Sequence, residues 1–296
     1  MKQTIKFRYV FNMVSAVIFS GLLAVIVLSM YLVNLWIQSF ISPVRAIPSG
    51  SYLKENHIEY QNIELTTKDG VKLSAWYTPP KNGAVILLAH GYNDNRIESL
   101  YVMFAENDYG VVAWDFRAHG ESGGEVSTLG YYEQWDVEAA LDFALAQAGV
   151  EHVGAWGGSM GASTVLLTAS KRNEIQAVVA DSAYPSLESV LRLNMPIEFI
   201  QPFALFLWES ETNARVEDVN VEQEIGRISP RAVFIIDGWY GGAILMNSPY
   251  RLYEAAHEPK ELWAEDGVPH LGTYAHNPKR YENRVIRFFD EWLLGE

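Results

Sequence analysis

A serine between glycines, Gly157-Gly158-Ser159-Met160-Gly161, is where the sequence most plainly concentrates reactive chemistry. The apolar run 153–156 precedes it and the helix-like stretch 162–171 follows it. In that setting the glycines permit a sharp strand-to-helix turn that projects Ser159 Oγ from the end of a sheet. The start of the helix then offers the Met160 N–H to a developing oxyanion. A second stretch, Leu87-Leu88-Ala89-His90-Gly91-Tyr92, ends an earlier strand, and the Tyr92 N–H is the candidate second donor. The chemistry these features suit is nucleophilic attack on an acyl carbonyl.

Elements must hold these groups in place. Residues 58–67 and 71–78 alternate apolar and polar side chains around Lys68-Asp69-Gly70, which predicts an antiparallel hairpin. Short apolar runs at 84–89, 110–114, 153–156, 177–180, 232–236 and 260–263 suit strands covered on both faces. Helix-like stretches at 131–147, 162–171, 248–256 and 281–294 alternate with them, so the pattern predicts an α/β class with a mainly parallel, doubly wound sheet. A long insertion at 184–231 breaks the rhythm, and its segment 195–208 is rich in large apolar side chains. It reads as a cap over a hydrophobic pocket, as ordinary packing on the sheet, or as a face that meets a bilayer.

With these elements laid out, the sequence resembles an α/β-hydrolase over 58–294, specifically the membrane-anchored serine hydrolases related to the serine aminopeptidase and dienelactone hydrolase groups. The matching stretches are Asp69-Gly70-Val71-Lys72-Leu73, Ala89-His90-Gly91, the run 115–124, the Ser159 motif and the His270 region. The resemblance implies acyl transfer from an ester, thioester or amide to water through a Ser-acid-His triad without a cofactor. It also implies that Arg117 and His119, in the loop 115–124, are structural.

Seven histidines occur, and only 257, 270 and 276 follow Ser159 in the nucleophile-acid-histidine order of this fold. His270 lies in a loop after the strand at 260–263 and before the last helix, the expected place of the base; His276 is the fallback. The acid departs from the pattern. The resembling families carry a catalytic Asp three residues after the Gly of a His-Gly pair, and here Gly241 holds that position. Asp181, directly after the strand 177–180, and Asp237, at the end of the next strand, are the two candidates, with Asp181 favoured. Asp218 falls in the insertion, and Asp266 precedes His270 by four residues.

Composition narrows the partners. Lys plus Arg number 22 against 36 Asp plus Glu, for a net charge of −14, and the cations are scattered, so no basic stripe is available to neutralise nucleic-acid phosphates. There is no cysteine, which removes disulfides, thiolate metal sites and a Cys nucleophile and suits an extracytoplasmic compartment. With no H-E-x-x-H and no helical pair of histidines, no metal or cofactor is expected. Residues 9–44 carry no charge, while Lys2, Lys6 and Arg8 precede them closely. This predicts a cytoplasmic N-terminus at 1–8, a transmembrane signal anchor at 9–36, a linker at 37–50 and a hydrolase domain at 51–296 outside the cytoplasm. The expected protein is a single-pass serine hydrolase acting through an acyl-enzyme on a small-molecule or lipid-like acyl substrate. Its rivals are a catalytically degenerate binding protein of the same fold and a serine aminopeptidase-like peptidase.

Overall fold

The computed structural model describes residues 2–195, 197–239 and 248–296. The chain divides into two units, Met1–Phe40 and Ile41–Glu296.

The first unit is essentially one helix, α1 (Lys2–Ile41). Its portion Arg8–Ile41 spans 34 residues with a mean hydropathy of 2.6 at its most apolar. At ~1.5 Å rise per residue it exceeds the ~30 Å of a bilayer core, which makes it a candidate membrane span by length and composition. The helix runs past residue 36, into residues expected to form the linker.

Among the described residues of the second unit eight strands form one sheet: β1 (Gln61–Thr66), β2 (Lys72–Thr78), β3 (Ala84–Ala89), β4 (Gly110–Trp114), β5 (His152–Gly158), β6 (Ala177–Asp181), β7 (Ala232–Trp239) and β8 (Lys260–Asp266). Their order is β1-β2-β4-β3-β5-β6-β7-β8. The β1–β2 and β2–β4 pairs are antiparallel and every later pair is parallel. β3, β4 and β6 are buried at every residue, as strands roofed on both faces must be, which is why they read as unbroken apolar runs.

The helices are α2 (Ser51–Glu55), α3 (Glu98–Glu106), α4 (Glu133–Leu145), α5 (Met160–Ala169), α6 (Leu187–Asn194), α7 (Gln201–Thr212), α8 (Val221–Glu224), α9 (Ser248–Ala255), α10 (Thr273–His276) and α11 (Pro278–Phe289). α5 is buried along its whole length beneath the sheet centre. α11 shows the opposite pattern: Tyr281, Val285, Phe288 and Phe289 form one buried face, Ile286 packs partly buried beside it, and the remaining side chains after Pro278 are polar. The insertion contributes α6, α7 and α8. Within it Trp208 is fully buried, whereas Phe199 and Phe206 are 84% and 64% exposed.

Two anchors fix the segment 45–50, one on α3 and one on the loop 115–124. Glu98 Oε1 accepts the N–H of Ser49 and of Gly50, at 3.1 and 2.8 Å, which holds residues expected to be linker against α3. Arg45 donates to the carbonyls of Ser122 and Gly124.

Candidate active site

The parallel strands β5, β6, β7 and β8 end on one side of the sheet, where an open α/β sheet places its chemistry. Ser159 sits between β5 and α5 with φ 51° and ψ −112°, a conformation an L-residue holds only when its surroundings enforce it. The flanking glycines are the enforcement. A Cβ on Gly157 would come within 2.5 Å of the Gly161 carbonyl group, and one on Gly161 within 2.4 Å of Ala89 O. The turn closes onto itself and onto the end of β3, so side chains at either position would push it open.

Ser159 Oγ stands 2.9 Å from His270 Nε2. His270 occupies the solvent-exposed loop between β8 and α10, and partial desolvation of its ring by the protein around it lowers its pKa, so the ring is biased toward the neutral form that can accept a proton. Met160 begins α5, whose first N–H groups have no intrahelical acceptor. Gly91 packs beside Ser159, with a Cβ position 3.5 Å from Ser159 Cβ, so the loop carrying Tyr92 adjoins the serine.

His90 and His119 are both fully buried. His90 Nδ1–H donates to Gly91 O at 2.7 Å and its Nε2 accepts the Phe116 N–H at 2.9 Å. Burial and the neighbouring His119 push its pKa down to about 3. It is a neutral brace between two loops. His119 Nδ1–H donates to Arg117 O at 2.9 Å. Arg117 is itself held by Asp136 at 2.6 Å and Asp69 at 2.9 Å, tying the loop 115–124 to α4 and to the β1–β2 turn.

The carboxylates require a closer account. Asp181 ends β6 and is 2% exposed. Its Oδ2 accepts from Tyr281 Oη at 2.8 Å and its Oδ1 from Ser182 Oγ at 2.9 Å. Tyr281 in turn accepts the Trp156 Nε1–H at 2.9 Å. Burial pushes Asp181 up to about 6, against the hydrogen bonds from Tyr281 and Ser182. Asp237, near the end of β7, is raised to about 7 by burial and by the charge of Asp181, with a hydrogen bond to Ser182 partly offsetting the rise. Among the described residues neither carboxylate bonds to His270; Asp181 bonds to Ser182 instead. Gly241, at the acid position of the resembling families, and Tyr240 lie outside the described residues.

The residue that sequence reasoning missed is Ser182. Its φ is +60°, its N–H donates to Ile236 O at 2.8 Å, and its Oγ accepts the N–H of Leu271, the neighbour of His270, at 3.1 Å. Tyr281, 100 residues from Asp181, was equally hidden, because no local signal links the last helix to the end of β6.

Comparison with known proteins agrees with this architecture. A family model described as alpha/beta hydrolase fold matches residues 84–224. The esterase Pf2001 of Pyrococcus furiosus superposes with a TM-score of 0.72 at 26% identity, covering 86% of this chain and 99% of its own. The uncharacterized protein YqkD of Bacillus subtilis is 28% identical over 237 residues, 75% of this chain and 76% of that protein. Protein bem46 of Schizosaccharomyces pombe is 25% identical over 174 residues, 55% and 58% of the two chains. With the β1-β2-β4-β3-β5-β6-β7-β8 sheet and the glycine-flanked turn at Ser159, these matches identify the chain as an α/β-hydrolase-fold protein.

Proposed function

We propose that the protein is a serine hydrolase that cleaves an ester, thioester or amide through an acyl-enzyme, with Ser159 as nucleophile and His270 as base. The observation that carries this reading is the 2.9 Å approach of His270 Nε2 to a serine Oγ on a strained strand-to-helix turn. As Oγ attacks the acyl carbonyl, its proton passes to Nε2 and the carbonyl oxygen becomes an oxyanion facing the Met160 and Tyr92 N–H groups. Collapse expels the leaving group, which takes the proton from His270, and the acyl group stays on Ser159. Water then attacks, giving its proton to Nε2, and the second collapse releases the acid and returns that proton to Ser159. The exposed apolar side chains of the insertion, Leu193, Ile197, Phe199 and Phe206, favour a hydrophobic acyl substrate. The candidate span α1, with Lys2, Lys6 and Arg8 close on its N-terminal flank and Arg45 and Lys54 farther apart on its C-terminal side, favours a single-pass protein whose hydrolase unit lies outside the cytoplasm.

The test is hydrolysis of p-nitrophenyl acetate and octanoate by wild type and by Ser159→Ala. Turnover that vanishes in the variant, with octanoate the better substrate, supports the reading. Equal turnover by both proteins contradicts it and favours a degenerate binding protein.

A further inference from the structure

Between β6 and the histidine loop the structure places one hydroxyl where a direct carboxylate contact was expected. Ser182 is 2% exposed and its backbone is pinned in the left-handed region by the bond from its N–H to Ile236 O. Its Oγ–H donates to Asp181 Oδ1, while its lone pairs receive the Leu271 N–H at 3.1 Å. Leu271 also has a positive φ, +57°, so the peptide directly after His270 is held in a sparsely populated conformation. The neighbouring Asp181 carbonyl accepts the Ser159 N–H at 2.8 Å. Two consecutive residues at the end of β6 therefore grip both halves of the reacting pair, one through the backbone of the nucleophile and one through the backbone of the base.

We propose that Ser182 is a positioning residue for the hydrolytic reaction: its hydroxyl, anchored by Asp181, fixes the His270 loop through the Leu271 N–H and so sets the distance from Nε2 to Ser159 Oγ. This rests on the serine-hydrolase reading above. The anchoring chain runs from Trp156 through Tyr281 and Asp181 to Ser182, every member buried, so each hydrogen bond restricts the next. A hydroxyl that accepts a backbone N–H while donating to a buried carboxylate is polarised to accept more strongly, which stiffens the loop at the residue next to the base.

The experiment compares Ser182→Ala and Ser182→Gly with wild type and Ser159→Ala in the full chain, measuring kcat and KM on p-nitrophenyl acetate together with Tm. Both Ser182 variants lose the hydroxyl, but only glycine relieves the positive φ. The expected result is a fall in kcat of about 10- to 100-fold in both, with KM within about twofold, because ångström-scale misplacement of a reacting group costs rate rather than binding. The glycine variant melts no lower than the alanine variant while remaining as slow. A kcat within about twofold of wild type in Ser182→Gly, with Ser159→Ala inactive, overturns the inference and leaves the hydrolase reading intact. A kcat lost in the alanine variant and restored in the glycine variant also overturns it, since the role is then one of backbone strain. Turnover retained by Ser159→Ala, or absent from wild type, defeats the hydrolase reading itself.

Discussion

Ser159 Oγ and His270 Nε2 stand 2.9 Å apart although 111 residues separate them in the chain. What brings them together is the shared end of the parallel strands: Ser159 leaves β5, His270 follows β8, and the two intervening strands close the gap. The contact leaves Nε2 poised to accept the hydroxyl proton, the one requirement that a serine nucleophile cannot meet alone.

The pH dependence follows from the environment of that imidazole. Although the loop is exposed, partial desolvation by the surrounding protein disfavours the charged ring and lowers its pKa from the ordinary 6.5. The base works only when neutral, so kcat/KM should rise along an acid limb whose midpoint lies below pH 6.5 and stay level through neutrality. A rate profile from pH 4.5 to 8 checks this, and a midpoint at or above 6.5 contradicts it.

Stability should carry the imprint of Asp181. Its pKa in the folded protein is raised to about 6 from 3.8, so the folded state holds this proton more tightly than the unfolded chain does. The contribution is therefore present below pH ~4 and is lost as pH rises through ~6, by on the order of 3 kcal/mol. In Asp181→Asn this loss disappears. Denaturant melts at pH 4 and pH 7 should show wild type losing ground to the variant over that interval, and parallel curves would refute the assignment.

At Gly161 a substitution should act on packing before chemistry. A Cβ there meets Ala89 O at 2.4 Å and His90 O at 2.5 Å, both backbone atoms that cannot swing aside. Gly161→Ala should destabilise the protein by about 1–3 kcal/mol, the usual result of overpacking a filled core. Thermal melting checks it, and an unchanged Tm would show that the turn has slack.

Topology can be read with a single thiol, because the chain has no cysteine. Lys279 sits on α11 with a well-exposed side chain. If the hydrolase unit is extracytoplasmic, Lys279→Cys in intact cells should react with a membrane-impermeant maleimide. Labelling only after lysis would place the unit inside.

The sheet was legible in the sequence because buried parallel strands are continuous apolar runs: 84–89 and 110–114 match β3 and β4 residue for residue. β7 and β8 ran on past the apolar runs at 232–236 and 260–263, since register with the neighbouring strand, not hydropathy, sets where pairing stops. α3 gave no helical period. Residues 100–105 are all buried, so no polar face alternates with an apolar one. Ser159 and His270 were legible because glycine chemistry and chain order mark them. The network of Ser182, Tyr281 and Trp156 was not, because it is written in contacts between β5, β6 and α11 that no local pattern encodes.

The central claim is that Ser159 is an activated nucleophile, and labelling by a fluorophosphonate probe tests it most directly. The full-length protein should be labelled, Ser159→Ala should not, and His270→Ala should react at least about 1,000-fold more slowly because the hydroxyl has lost its base. A folded wild-type protein that takes up no probe, or label that persists in Ser159→Ala, would contradict the account.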